Sequence, residues 1–179
     1  MINQDAQQTT TITKNLYPST NGLNIPGYRS YIATTAEQYE KAYRLRYEVY
    51  CKELKWIADN PDGLEIDEFD ADAKLICVET DDGELVGTIR ITDEHFDWMV
   101  EKFFSDTIST SVVDIKRLSC VEASRNAVLP RLRHKYIGES RITVLDMMLS
   151  TAMDYVWDNM GRKHVLITAE PVMGVILRR

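Results

Sequence analysis

The stretch PDGLEIDEFD, residues 61–70, carries five carboxylates: Asp62, Glu65, Asp67, Glu68 and Asp70. They are interleaved with Leu64, Ile66 and Phe69. Carboxylates at this density can hold a cation, solvate a turn or neutralise buried arginines, and one left free can accept a proton. A calcium loop needs oxygen ligands at alternate positions and glycine at the sixth. Counted from Asp59, Pro61 falls at the third position and Gly63 at the fifth, so the metal reading fails. A solvated loop explains Asp62-Gly63 but not the apolar residues. Three arginines supply the other half of an answer. Arg90 lies in LVGTIRI and Arg117 in VVDIKRLSCV, both apolar enough for interior strands, and Arg46 sits among Tyr39, Tyr43 and Tyr50. A guanidinium buried in such places needs carboxylate partners. The pattern predicts a charge network of Arg46 and Arg90, with Arg117 as a third cation, facing Glu65, Asp67 and Asp70. Such a network is either structural or lines a cleft where chemistry is done.

The elements that would carry these residues can be read in order. YRSYIAT (28–34) reads as a strand. Thr35 with Gln38 forms a capping-box pattern, opening a helix expected to run to about Lys55. Its Glu37, Lys41, Arg44, Glu48 and Lys52 alternate in sign on a solvated face, which makes Arg44 ordinary and sets Arg46 apart. Strands 73–80 and 84–91 flank Asp81-Asp82-Gly83, a hairpin signal. A helix is expected over 94–108, a strand over 111–121 and a helix over 140–161 ended by Gly161. A strand over 163–169 follows, and Pro171 opens another helix. This order describes an α/β (α+β) fold with a mixed, mostly antiparallel sheet flanked by helices.

Bulk properties narrow the class. With 179 residues, 44% of them hydrophobic, the chain suits one globular domain over 28–179. Residues 1–27, rich in Thr, Asn and Gln, read as a flexible arm. The chain stops inside the last expected helix, so closing strands are expected to lie beyond residue 179. A net charge of −7 argues against non-specific nucleic-acid binding. No apolar run reaches the ~18 residues of a membrane span, and the N-terminus lacks the features of a signal peptide. Cys51, Cys77 and Cys120 are odd in number and widely spaced, which reads as reduced thiols in a cytoplasmic protein. No zinc spacing is formed by His95, His134 and His164.

Several motifs together carry a resemblance. Arg46, Tyr50, Leu54 and Trp56, then Glu65, Asp67, Phe69 and Asp70, then Gly87-Thr-Ile-Arg90, then Asp114-x-x-Arg117-Leu118, are similar to the N-acyl-homoserine lactone synthases. Preceded by Pro-Asp-Gly-Leu, the acidic motif resembles still more closely the long-chain N-acyl amino acid synthases, including those associated with exosortase systems. The resemblance covers roughly residues 40–120. It implies a GCN5-related N-acyltransferase fold and transfer of an acyl group from acyl carrier protein to an amine. The donor would be an acyl-phosphopantetheine thioester, with no tightly bound cofactor and no metal, and the acceptor tyrosine or another hydrophobic amino acid. Asp114 stands where the family usually has Glu, and Lys116 replaces a common Ser. The Gly-rich pyrophosphate loop of coenzyme A-dependent relatives is absent. In its place is a basic segment with Arg125, Arg131, Arg133 and Lys135, suited to an acidic carrier protein and its phosphate.

Amide formation from a thioester needs a base and oxyanion donors. Glu65 is the first candidate base and Asp114 the second, with Arg117 beside it and backbone N–H groups of 117–121 as donors. Three apart on a strand, Asp114 and Arg117 would face opposite ways unless a bulge lies between them. Tyr50, Trp56, Phe69, Leu118, Ser119 and Cys120 are candidates for the substrate pocket, Cys120 as a small core residue rather than a nucleophile. Met147 and Met148 either line an acyl tunnel or fill the core. The alternatives are a homoserine lactone synthase using S-adenosylmethionine, a coenzyme A-dependent acetyltransferase, and a non-catalytic acyl-carrier or fatty-acid binding module.

Overall fold

The computed structural model describes residues 22–105 and 112–167. Six strands form one sheet in sequential order: β1 (Asn24–Ile25), β2 (Tyr28–Ile32), β3 (Lys74–Thr80), β4 (Leu85–Thr92), β5 (Cys120–Val128) and β6 (His164–Ile167). The first five pair antiparallel, and β5 pairs with β6 in parallel. The sheet is mixed and mostly antiparallel, as the element order suggested. Helix α1 (Ala36–Tyr47) packs on one face. Along β3, Leu75 and Cys77 point to it, while Ile76 and Val78 point to α4 (Val144–Asp154) on the other. Period-two alternation thus divides the core into two layers.

Local chemistry explains the helix starts. The Thr35 side chain accepts from Gln38 N–H and the Gln38 side chain answers at the cap, as the pattern predicted. Thr143 and Asp146 do the same for α4. Both helices widen into π-helical turns, Glu48–Glu53 after α1 and Tyr155–Asn159 after α4. At Gly87, β4 comes so close to α4 that a Cβ would lie 2.4 Å from Val144 Cγ1 and 3.0 Å from Met148 Sδ. Gly87→Ala should therefore cost about 1–3 kcal/mol by overpacking. An unchanged thermal midpoint would show that the two layers have slack.

Three sequence expectations are corrected. β1 lies inside the segment read as an arm; residues 1–21 and the helix expected from Pro171 fall outside the described residues. Only Met99–Phe103 (α2) is helical in the described part of 94–108, because Asp93 takes the His95 N–H with its side chain and the Phe96 N–H with its carbonyl, making a turn there. The strand expected over 111–121 is instead helix α3 (Val112–Lys116) and a turn, with β5 starting at Cys120. Lys116 holds α3 by reaching Glu101 (2.7 Å) and the Phe96 carbonyl (2.8 Å) over the Trp98 ring. Ser119, at φ 63°, then turns the chain into the strand.

Candidate active site

The acidic stretch folds against the sheet between α1 and β4. Glu65 N–H donates to the Tyr43 carbonyl of α1. Residues Glu68–Asp70 form a single 3₁₀ turn capped by Asp67, whose side chain takes the Phe69 N–H while Asp70 takes the Asp67 N–H. This short-range capping aims three carboxylates at one point. Arg46 meets them from α1, fully buried, with its Nε on Glu65 and its two terminal nitrogens on Asp70 at 2.6 and 2.9 Å. Arg90 meets them from β4, also fully buried, bonding Asp67, Asp70 (3.1 Å) and Ser124 Oγ (3.0 Å). The expected contrast along α1 is present: Arg44 is exposed and, among the described residues, its ion pair is with Glu40 one turn back.

The third cation is Arg125, not Arg117. Between Thr88 and Arg90 the β4–β5 register shifts, with Ala127 and Ser124 as the partners, so β5 carries an extra residue there. Arg125 lies in that bulge at φ 52°. The left-handed backbone swings its side chain over Tyr50, with Nε 3.0 Å from Glu65 Oε1 and Nη2 2.8 Å from Asp67 Oδ2. That last contact is an ion pair without the alignment of a hydrogen bond, which leaves Asp67 Oδ2 buried without a hydrogen bond. Three arginines face three carboxylates, so the cluster's charges balance. Burial works against ionisation of Asp70, but the hydrogen bonds and charge of Arg46, with Arg90, outweigh it and hold its pKa below the usual carboxylate range. Burial works against the charge of Arg46 too, but the hydrogen bonds and charges of Asp70 and Glu65 outweigh it and keep it charged.

Other sequence candidates divide. Tyr50, Trp56 and Phe69 gather at the cluster: Trp56 stacks on Tyr50 at 6.0 Å, and Phe69 lies under Arg90 at 5.5 Å. Burial pushes the Tyr50 hydroxyl up to about 12, and it donates to the Asn126 carbonyl at the bulge. Asp114 of α3 and Arg117 in the turn after it are exposed and pair with each other at 3.1 Å, away from the network; the strand bulge proposed between them is unnecessary. Leu118 is exposed beside them, and Ser119 is the turn residue. Cys120 is buried with Trp98 and Val100, its thiol pushed up to about 11 by burial, which suits a core residue. Met147 and Met148 are fully buried in the α4 layer, across the sheet from the charges. Arg131 bonds Glu84, and Arg133 bonds Glu53 at 2.8 and 2.9 Å, so two charges of the expected carrier-binding segment are neutralised within the chain. Lys135 is exposed.

Sequence reasoning missed the place of Arg125, and missed Met99 and Glu122 altogether. Met99 Sδ lies 3.0 Å from Arg125 and 3.8 Å from Arg90. The alternation in CVEASRNAV was the available signal that a strand continues to Val128.

A family model described as an acetyltransferase (GNAT) domain matches residues 45–141, more than half of the chain. An acyl-homoserine-lactone synthase from Aliivibrio fischeri is 30% identical over 99 residues, 55% of this chain and 51% of that protein. One from Vibrio anguillarum is 26% identical over 141 residues, 78% and 72% of the two. The chain thus spans about half the length of the first of these relatives and nearly three quarters of the second. Among solved structures, the coenzyme A-dependent acyl-homoserine lactone synthase MesI superposes with a TM-score of 0.61 at 22% identity, over 84% of this chain and 75% of that one. At that identity the likeness shows the fold.

Proposed function

Because the chain belongs to the acetyltransferase (GNAT) domain family, we propose that it is an N-acyltransferase. It moves a long-chain fatty acyl group from the phosphopantetheine thioester of an acyl carrier protein to the α-amine of an amino acid. The observation that carries the reading is the exposed edge of the cluster. Arg46, Arg90, Glu65 and Asp70 have side chains no more than 3% exposed, whereas Arg125 and Asp67, 2.8 Å apart, are each 18% exposed. A cation beside an anion at the mouth complements a zwitterion. The substrate carboxylate is drawn to Arg125 and its ammonium to Asp67. Exposed Trp56, stacked on Tyr50, and Phe103, edge-on to Phe69 at 6.2 Å, give an apolar acceptor side chain a surface to cover.

The reaction then needs little. The part-exposed Asp67 carboxylate takes a proton from the ammonium through water, and the free amine attacks the thioester carbonyl. The new C–N bond forms, the C–S bond breaks, and the thiol leaves on the carrier's prosthetic arm. Glu65, the first candidate from sequence, has both oxygens on arginines and serves to hold Arg46 and Arg125 apart. We assign the oxyanion donors to the bulge of β5, where Arg125 and Asn126 have no register partner on β4. With Cys120 buried and its pKa raised by burial, transfer is direct rather than through a thioester on the protein.

A second reading shares this seat. S-adenosylmethionine also carries an α-amino acid head, and the named relatives are acyl-homoserine-lactone synthases. The test is mass spectrometry of products after incubation with acyl-carrier or acyl-coenzyme A donors, a panel of amino acids, and S-adenosylmethionine. An N-acyl amino acid made from the carrier donor is expected. An acyl-homoserine lactone as sole product would favour the second reading, and an untouched donor would leave a binding module.

A further inference from the structure

Glu122 is a fully buried carboxylate on β5 with no ion pair among the described residues. Its oxygens accept the backbone N–H groups of Met99 (2.9 Å) and Val100 (2.8 Å), the first two residues of α2, more than twenty positions away in sequence. Burial pushes its pKa up, and these two amides pull it back. The charged groups around it are Arg90 from β4 and Glu101 from α2, the latter paired with Lys116 of α3; β6 presents Leu166. Opposite it on β4, Thr92 Oγ1 is buried without a hydrogen-bond partner, so it gives Glu122 no alternative donor. A side chain that costly to bury satisfies the two buried N–H groups that open α2, which no apolar residue could do.

What α2 carries explains the placement. Its first residue lays Met99 Sδ against both Arg125 and Arg90. Lys102 bonds Glu68 of the acidic segment, and Phe103 packs edge-on against Phe69. Met99, Lys102 and Phe103 of α2 therefore touch the cluster or the turn that aims it, and Glu122 is a buried point from which α2 hangs. We infer that Glu122 is a positioning residue. It holds α2 closed over the charge cluster, so that Met99 fixes the Arg125 guanidinium in the bulge where the acceptor's carboxylate is received. The inference rests on the acyltransferase reading above.

Hydrogen exchange and steady-state kinetics on the same variants test it. Glu122→Gln keeps the shape but turns an NH₂ toward one of the two amides. Residues 98–105 should then exchange about tenfold faster, with β3 and β4 unchanged. KM for the amine acceptor should rise about tenfold while KM for the acyl donor stays within twofold. Glu122→Asp should recover part of both effects. Met99→Leu should raise the acceptor KM without loosening α2, separating the anchor from what it positions. Unchanged exchange at 98–105, or faster exchange spread over the whole sheet, overturns the anchor. A loosened α2 with an unchanged acceptor KM overturns the positioning. A parent protein that acylates no amine refutes the proposed function instead, and the exchange measurement then still decides the anchor.

Discussion

Arg46→Ala is expected to destabilise the protein by about 3–5 kcal/mol, the range for breaking a buried ion pair by removing one partner. Arg44→Ala, one turn-face away, should stay within about 0.5 kcal/mol. Both are arginines of α1, and the difference is entirely one of surroundings. Arg44 has an exposed i−4 partner; Arg46 has Glu65 and Asp70, both buried, which would be stranded without it. Denaturant unfolding with matched m-values would check the pair. The same network sets an acid limit. Asp70's folded pKa lies below its unfolded value of roughly 4, so its stabilisation is fully present above that value. It is lost as pH falls through the folded one. Asp70→Asn should be less stable at neutral pH and lose less on acidification. Small and equal effects at Arg46 and Arg44 would mean the cluster carries no structural weight.

Asp67→Asn is expected to lower turnover ~10²-fold or more while leaving the fold intact. Asparagine keeps a carbonyl oxygen for the Phe69 N–H and for Arg90, so the 3₁₀ turn and the inner contacts survive. What disappears is the negative charge of a part-exposed carboxylate, able to take a proton from the incoming ammonium. Glu65→Gln should behave in the opposite way. Its loss of charge faces Arg46 and Arg125 in the interior, lowering stability by about 1–3 kcal/mol with a smaller effect on turnover at temperatures where the protein is folded. Thermal melting beside initial rates of thiol release from the donor separates the two. A Glu65→Gln protein of parent stability and no turnover, beside an active Asp67→Asn, would return the role of base to Glu65.

Much of this arrangement could be read from the chain because its signals are local. The capping boxes at Thr35 and Thr143, the hairpin at Asp81-Asp82-Gly83 and the alternation of β3 each involve a few neighbouring residues. Glu65, Asp67 and Asp70 were readable for a different reason: apolar residues between acids imply burial, and buried arginines require anions. Arg117 and Arg125 exchanged places because the decisive fact is a bulge. An extra residue in β5 is a matter of register against β4, and register is set across the sheet rather than along the segment. The helix at Val112–Lys116 was misread because its β-branched residues favour a strand, while Lys116 is held by Glu101 and Trp98, partners far along the chain. Glu122 was overlooked although it stands three residues before Arg125, the spacing of the acid and arginine sought at Asp114 and Arg117.

The most direct test of the central claim, that the chemistry lies at the mouth of the charge cluster and not on α3, is single-turnover acyl transfer across pH. It would be run with the parent, Asp67→Asn and Asp114→Asn side by side. Asp114→Asn should follow the parent within twofold at every pH, because Asp114 sits exposed on α3 with Arg117. Asp67→Asn should be ~10²-fold slower at every pH. Near-parent rates in Asp67→Asn, together with loss of transfer in Asp114→Asn, would contradict the account and move the base to α3.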